Sequence, residues 1–157
     1  MTTREYLGQI RKYQLMVEAK LEERYRLQSL ACRVTVPVEG ERVKSSSDPD
    51  RLTNAVAKII KCEEELDRAI SKLIDKRKEI IARIDSMESQ NSYSVLTYRY
   101  VQGLSDKEIS VKLGITSLSG VRKIHKNALI EFEEKYGPKY LTTEDVMEKF
   151  RSNKYKV

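Results

Sequence analysis

From Leu52 to Met87 the chain repeats its apolar positions at alternating steps of four and three: Leu52, Val56, Ile59, Leu66, Ile70, Leu73, Ile80, Ile84 and Met87, with Glu63 and Arg77 filling two places in the series. Steps averaging about 3.5 residues keep one face of an α-helix in line, whereas a strand needs alternation at every second residue. The spacing predicts one long helix with a coiled-coil seam, which must find a partner to bury it. Ile60, Ile74 and Ile81 lie beside that seam and widen it, pointing to a bundle or to a hairpin that also meets a second chain. Glu63 and Arg77 can set register against a partner helix or bend out to water. The second reading is favoured, because desolvating a buried ion pair often costs more than the pair returns.

Asp48 as N-cap, Pro49 at the first helical position and Asp50 in the first turn mark where this helix starts. Residues 3–34 supply a second amphipathic arm along Tyr6, Ile10, Tyr13, Val17, Leu21, Leu27, Ala31 and Val34. Between the arms, residues 35–48 read TVPVEGERVKSSSD, a long connection better taken as a solvated linker than as a binding loop. Residues 1–89 are therefore expected to form a helical hairpin for oligomerisation or partner binding.

Cys32 and Cys62 are the only cysteines, and in such a hairpin they would lie about 20 Å apart at 1.5 Å per residue, too far for a disulfide. Both are expected to be small apolar fillers in a reducing compartment. With one histidine, His125, and no C-x-x-C spacing, no metal site is expected, nor any other cofactor.

The C-terminal part, residues 90–157, is patterned differently. Val95, Leu96, Arg99 and Tyr100 share one helical face, and Gly103 can end that helix at positive φ. Ser105-Asp106-Lys107-Glu108 is a capping box that starts a second helix sharply, and Gly114 stops it after little more than two turns. Ile109, Val111 and Leu113 are expected to give that helix its apolar contacts.

A third helix runs from about Ser117, with Val121, Ile124, Ala128 and Phe132 inward and Ser119, Arg122, Lys123, Lys126 and Asn127 outward. His125 is read as a partly buried helix residue, and Tyr98 and Tyr100 as core residues, not as base contacts. Tyr136-Gly137-Pro138 is expected to end the third helix, and a short last helix spans Thr142 to Phe150 before a basic tail. The tight spacing is that of a helix-turn-helix. No acidic residue occurs between Lys112 and Glu131, so a duplex would meet Ser117, Ser119, Arg122, Lys123 and Lys126 as its candidate contacts.

The run Leu96-x-x-Arg99-Tyr100-x-x-Gly103-x-Ser105-x-x-Glu108-Ile109-x-x-x-Leu113-Gly114 resembles region four of bacterial sigma factors, which reads the promoter element upstream of the start site. The further run Val121-Arg122-Lys123-Ile124-His125-Lys126-Asn127-Ala128-Leu129 resembles phage-encoded sigma-like regulators, including the ArpU-like late-gene activators. The N-terminal helical segment and its Ser-Ser-Ser-Asp-Pro-Asp-Arg linker are similar to a related uncharacterised prophage family. Two departures stand out: one extra residue between Ile115 and Val121, and Ser110 where the second helix usually carries a small apolar residue. The resemblance implies a transcription regulator of phage or prophage genes.

Charged residues make up 34% of the 157 positions and aromatics 7%, a composition suited to an all-α fold with long exposed faces. Of the net charge of +6, most lies in residues 92–157, which carry 12 Lys or Arg against 8 Asp or Glu. No apolar run is long enough to span a bilayer and the N-terminus lacks a signal-peptide core, so a cytoplasmic protein without membrane contact is expected. No nucleophile stands beside a base, and no glycine loop could cradle phosphate, so an enzyme is not expected.

The leading expectation is a sequence-specific regulator whose partners are double-stranded DNA, RNA polymerase and a second copy held through the N-terminal helices. One alternative is a DNA-packaging adaptor resembling a small terminase subunit, although there the DNA-binding module usually comes first. Another is a protein module that engages RNA polymerase or a sigma factor without reading DNA.

Overall fold

A computed structural model describes residues 1–35 and 49–140, and no strand occurs among the described residues. Its elements are α1 (Thr3–Leu7), α2 (Gln9–Thr35), α3 (Pro49–Asp85), α4 (Gln90–Leu96), a π-helical segment (Thr97–Val101), α5 (Asp106–Leu113) and α6 (Leu118–Tyr140). The all-α class expected from the sequence is the observed one. The connection after Thr35, the cap at Asp48, the helix expected from Thr142 and the basic tail lie outside the described residues.

Two compact units divide the chain. One joins residues 1–12 to the chain from Asp75 onward, and the other is Tyr13–Ile74. In the second unit Cys62, Leu66 and Ala69 are buried, while Leu52 and Val56 are 42% and 45% exposed. The inward line of α3 here runs Ala55, Ile59, Cys62, Leu66, Ala69 and Leu73: it keeps Ile59, Leu66 and Leu73 of the expected seam, but Ala55, Cys62 and Ala69 lie deeper than their seam neighbours Val56, Glu63 and Ile70, and Glu63 faces water.

The half-buried line of α2 in this unit runs Tyr13, Val17, Lys20, Arg24, Leu27 and Ala31, and the expected Leu21 is exposed. Lys20 Nζ lies 2.8 Å from Glu23 and 2.6 Å from Glu65, and Cys62 Sγ lies 3.8 Å from the Lys20 carbonyl. Cys62 is the apolar filler expected. Cys32 is not: it is exposed, one position past the half-buried line at Ala31.

The first unit holds the main core, built from Tyr6, Leu7 and Ile10, from Ile80, Ile84 and Met87, and from Val95, Leu96, Ile109, Val121, Ala128 and Phe132. Helix α1 belongs to it firmly. Thr2 and Glu5 form a capping box, with the Thr2 N–H donating to Glu5 at 2.7 Å, and the Thr3 hydroxyl donates to Glu133 of α6 at 2.9 Å. The Tyr6 ring lies 6.1 Å from that of Phe132, while its hydroxyl donates to Glu79 at 2.7 Å.

Helix α6 does not stop at Tyr136-Gly137-Pro138; it continues to Tyr140. Gly137 is buried, and it and Pro138 stand in the last turn of the helix, so the stop takes effect a few residues later than expected.

Candidate functional site

Three short elements set the geometry around the start of α6. Helix α4 widens into the π-helical segment, where the Gln102 N–H donates to the Thr97 carbonyl at 3.0 Å. The end is closed over Gly103, at φ +72°, by the Leu104 N–H donating to the Tyr98 carbonyl at 2.9 Å. Helix α5 then begins as the sequence requires: the Ser105 hydroxyl accepts from the Glu108 N–H at 3.4 Å, and the Glu108 carboxylate accepts from the Ser105 N–H at 2.8 Å. The Ser105 hydroxyl in turn donates to that carboxylate at 2.6 Å, and this bond, with the one from the backbone N–H, holds the Glu108 carboxyl below its usual range.

At the other end of α5, Gly114 adopts φ +66° and its N–H donates to Val111. The Ile115 N–H donates to the Ser110 carbonyl at 2.9 Å, completing a Schellman-type stop. Ile109 is fully buried, whereas Val111 is 82% exposed and contributes none of the expected contact. Two residues apart on a helix are about 200° apart around its axis, so both cannot face one core. Ser110 is half-buried, and its hydroxyl donates to the Lys107 carbonyl at 2.7 Å.

Helix α6 enters through Ser117, whose hydroxyl accepts from the Gly120 N–H at 3.1 Å and from the Ser119 hydroxyl at 3.2 Å. A Cβ at Gly120 would come within 2.9 Å of the Ile115 side chain, so glycine lets the turn lie close against the helix. Val121, His125, Ala128 and Phe132 form the buried stripe, with Ile124 half-buried beside it. Ser117, Ser119, Arg122, Lys123 and Lys126 are all exposed, on the first turns of α6 or the residue capping it. The five candidate contacts therefore share one accessible region, with Ser117 also serving the fold as a cap.

Beneath this surface His125, 5% exposed, shares a hydrogen bond with the Tyr100 hydroxyl, Nε2 to Oη 3.0 Å. Burial, reinforced by Arg99 and Arg4, pushes the imidazole down to about 4, with Asp106 opposing weakly. It is neutral near pH 7 and belongs to the packing, as the sequence reading favoured. Tyr98 and Tyr100 are half-buried against the core.

A charged group that the sequence did not single out lies at the α5–α6 junction. Asp106 Oδ1 pairs with Nη1 of Arg99, and Asp106 Oδ2 lies 3.6 Å from Nε of Arg122. Partial burial pushes the Asp106 carboxyl up, but Arg99 and then Arg122 outweigh it and hold it below its usual range. The only sequence signal was Arg99 on an otherwise apolar face. Among the described residues no group of acidic, histidine or cysteine side chains could hold a metal ion, and no helix is long and apolar enough to cross a membrane.

No curated protein and no solved structure matches the chain. A family model does, across the end of α2, all of α3 to α5 and most of α6. The chain belongs to the family described as Protein of unknown function (DUF1492), whose model matches residues 35–133.

Proposed function

We propose that this protein is a sequence-specific DNA-binding transcription regulator of the phage sigma-region-four-like kind, in which α5 and α6 are a helix-turn-helix and α6 enters the major groove. The observation that carries this reading is the exposure of Arg122, Lys123 and Lys126 together, on a stretch without an acidic residue from Leu113 to Ile130. Cationic side chains grouped on one helix face neutralise phosphates and reach base edges. The αL glycine between α5 and α6, and the buried stripe from Val121 to Phe132, are what a helix docked by its outer face needs behind it.

The Lys20–Glu65 pair supports reading α2 and α3 as the two arms of a hairpin. Leu15, Tyr25, Leu30, Val56 and Ile60 are exposed on those arms, which supports their use in self-association or in contact with RNA polymerase. The same exposure favours, as a second reading, a module that binds polymerase or a sigma factor without reading DNA. Footprinting of the purified protein on the DNA flanking its own gene, with its mass in solution measured alongside, separates these. A protected site from a monomer or dimer supports the regulator, a ring-sized oligomer supports a packaging adaptor, and no duplex binding at low salt supports the protein-binding module.

A further inference from the structure

We infer that Asp106 is a positioning residue that turns Arg122 into a guanine-reading side chain, an inference that rests on the DNA-binding role of α6 proposed above. The two carboxylate oxygens of Asp106 have separate tasks. Oδ1 is held by Arg99 from the π-helical segment, and Oδ2 faces Nε of Arg122 at 3.6 Å. Asp106 is itself fixed as the first residue of α5, behind the Ser105 cap. The Arg99 pairing places a negative charge at a defined point beside the first turns of α6.

A guanidinium is planar, and its Nε–H edge and its paired Nη groups address different directions. With the Nε edge of Arg122 turned to Asp106, the two Nη groups remain as an end-on fork, on a side chain 70% exposed. That fork matches O6 and N7 of guanine, the acceptor pair the major groove offers at one base only. An arginine held by a carboxylate also loses less rotamer freedom on docking and is less free to swing to a phosphate.

The charge has a second consequence. A carboxylate beside the contact surface repels phosphate, so Asp106 weakens binding to arbitrary sequence while sharpening selection at one base. A merely structural ion pair between α5 and α6 would not couple these two effects with opposite sign.

The test is selection from a randomised duplex pool by the full chain, followed by binding to the selected duplex with 7-deazaguanine, which lacks N7, at the enriched position. The wild type should enrich one guanine, and removing its N7 should weaken binding on the order of tenfold. Asp106→Asn should lose that preference yet bind the random pool as tightly as wild type or tighter. Arg122→Lys, a change at an exposed position that keeps the charge, should also lose the preference, and it decides the matter if Asp106→Asn does not fold. Retention of the guanine preference by folded Asp106→Asn, or by Arg122→Lys, overturns the inference, as does a wild type that binds duplex without preferring guanine. A wild type that binds no duplex at low salt overturns the proposed function, and this inference with it.

Discussion

The Tyr100 hydroxyl lies 3.0 Å from Nε2 of His125, joining the π-helical segment to the buried stripe of α6. Because burial depresses the imidazole from 6.5 to about 4, the unfolded chain binds a proton there that the folded chain refuses. Stability from this site is therefore complete above pH 6.5 and is lost as pH falls from 6.5 through 4, by on the order of 3 kcal/mol. Urea unfolding of wild type and His125→Gln at several pH values checks this. The variant should show a flatter dependence between pH 6.5 and 4, and parallel curves would remove His125 from the account.

Gly103 and Gly114 both stand at positive φ with nothing within 4 Å of an added Cβ. Substitution by alanine meets no steric neighbour, so its effect is conformational: about 1 to 2 kcal/mol of destabilisation at each position. The Ala variants should unfold at lower urea with unchanged m-values.

Tyr6 is 1% exposed, with its ring against Phe132 and 4.9 Å from the Arg83 guanidinium. Tyr6→Ala should destabilise the protein by about 3 to 5 kcal/mol, as truncating a buried aromatic does. Tyr6→Phe keeps the ring packing and leaves Glu79 to Lys76 and Arg83, so its loss should be smaller, about 1 kcal/mol. Equal melting curves for wild type and Tyr6→Ala would mean that α1 is not part of the core.

The Ser105 cap offers a local test. Ser105→Ala removes the acceptor of the Glu108 N–H and should cost about 1 kcal/mol. The Glu108 carboxyl is depressed, so its contribution is present above its unfolded pKa and lost on acidification through the lower folded value. The destabilisation by Ser105→Ala should accordingly shrink at pH 2 to 3, measured by thermal unfolding.

Local signals were legible wherever the chemistry is local. The Ser105–Glu108 box and the αL stop at Gly114 follow from residue type and spacing alone, and so did the inward stripe of α6 apart from His125. Most of what was not legible depended on tertiary context. Widening of the helix at Thr97–Val101 leaves no mark in residue type, since any sequence can shift from i→i+4 to i→i+5 bonding when packing favours it.

Val111 was drawn inward by hydrophobicity, although its angular position opposite Ile109 argued otherwise. Helix α6 was expected to end at Gly137-Pro138, but both stand in its last turn and it runs on to Tyr140. That Ser119, Arg122, Lys123 and Lys126 are exposed together was legible because their spacing puts them on one side of a helix. Asp106 was missed because its role comes from meeting Arg99 and Arg122 in space, seven and sixteen positions away.

The salt dependence of duplex binding, compared between wild type and an Arg122→Ala, Lys123→Ala, Lys126→Ala triple variant, tests the central claim most directly. All three side chains are exposed, so the variant should keep wild-type helicity. Wild type should bind with an affinity that falls steeply as salt rises, and the variant should bind more weakly with a log–log slope shallower by about 2 to 3. Equal affinity and equal slope in the two proteins would contradict the assignment of α6 as the DNA-contacting helix.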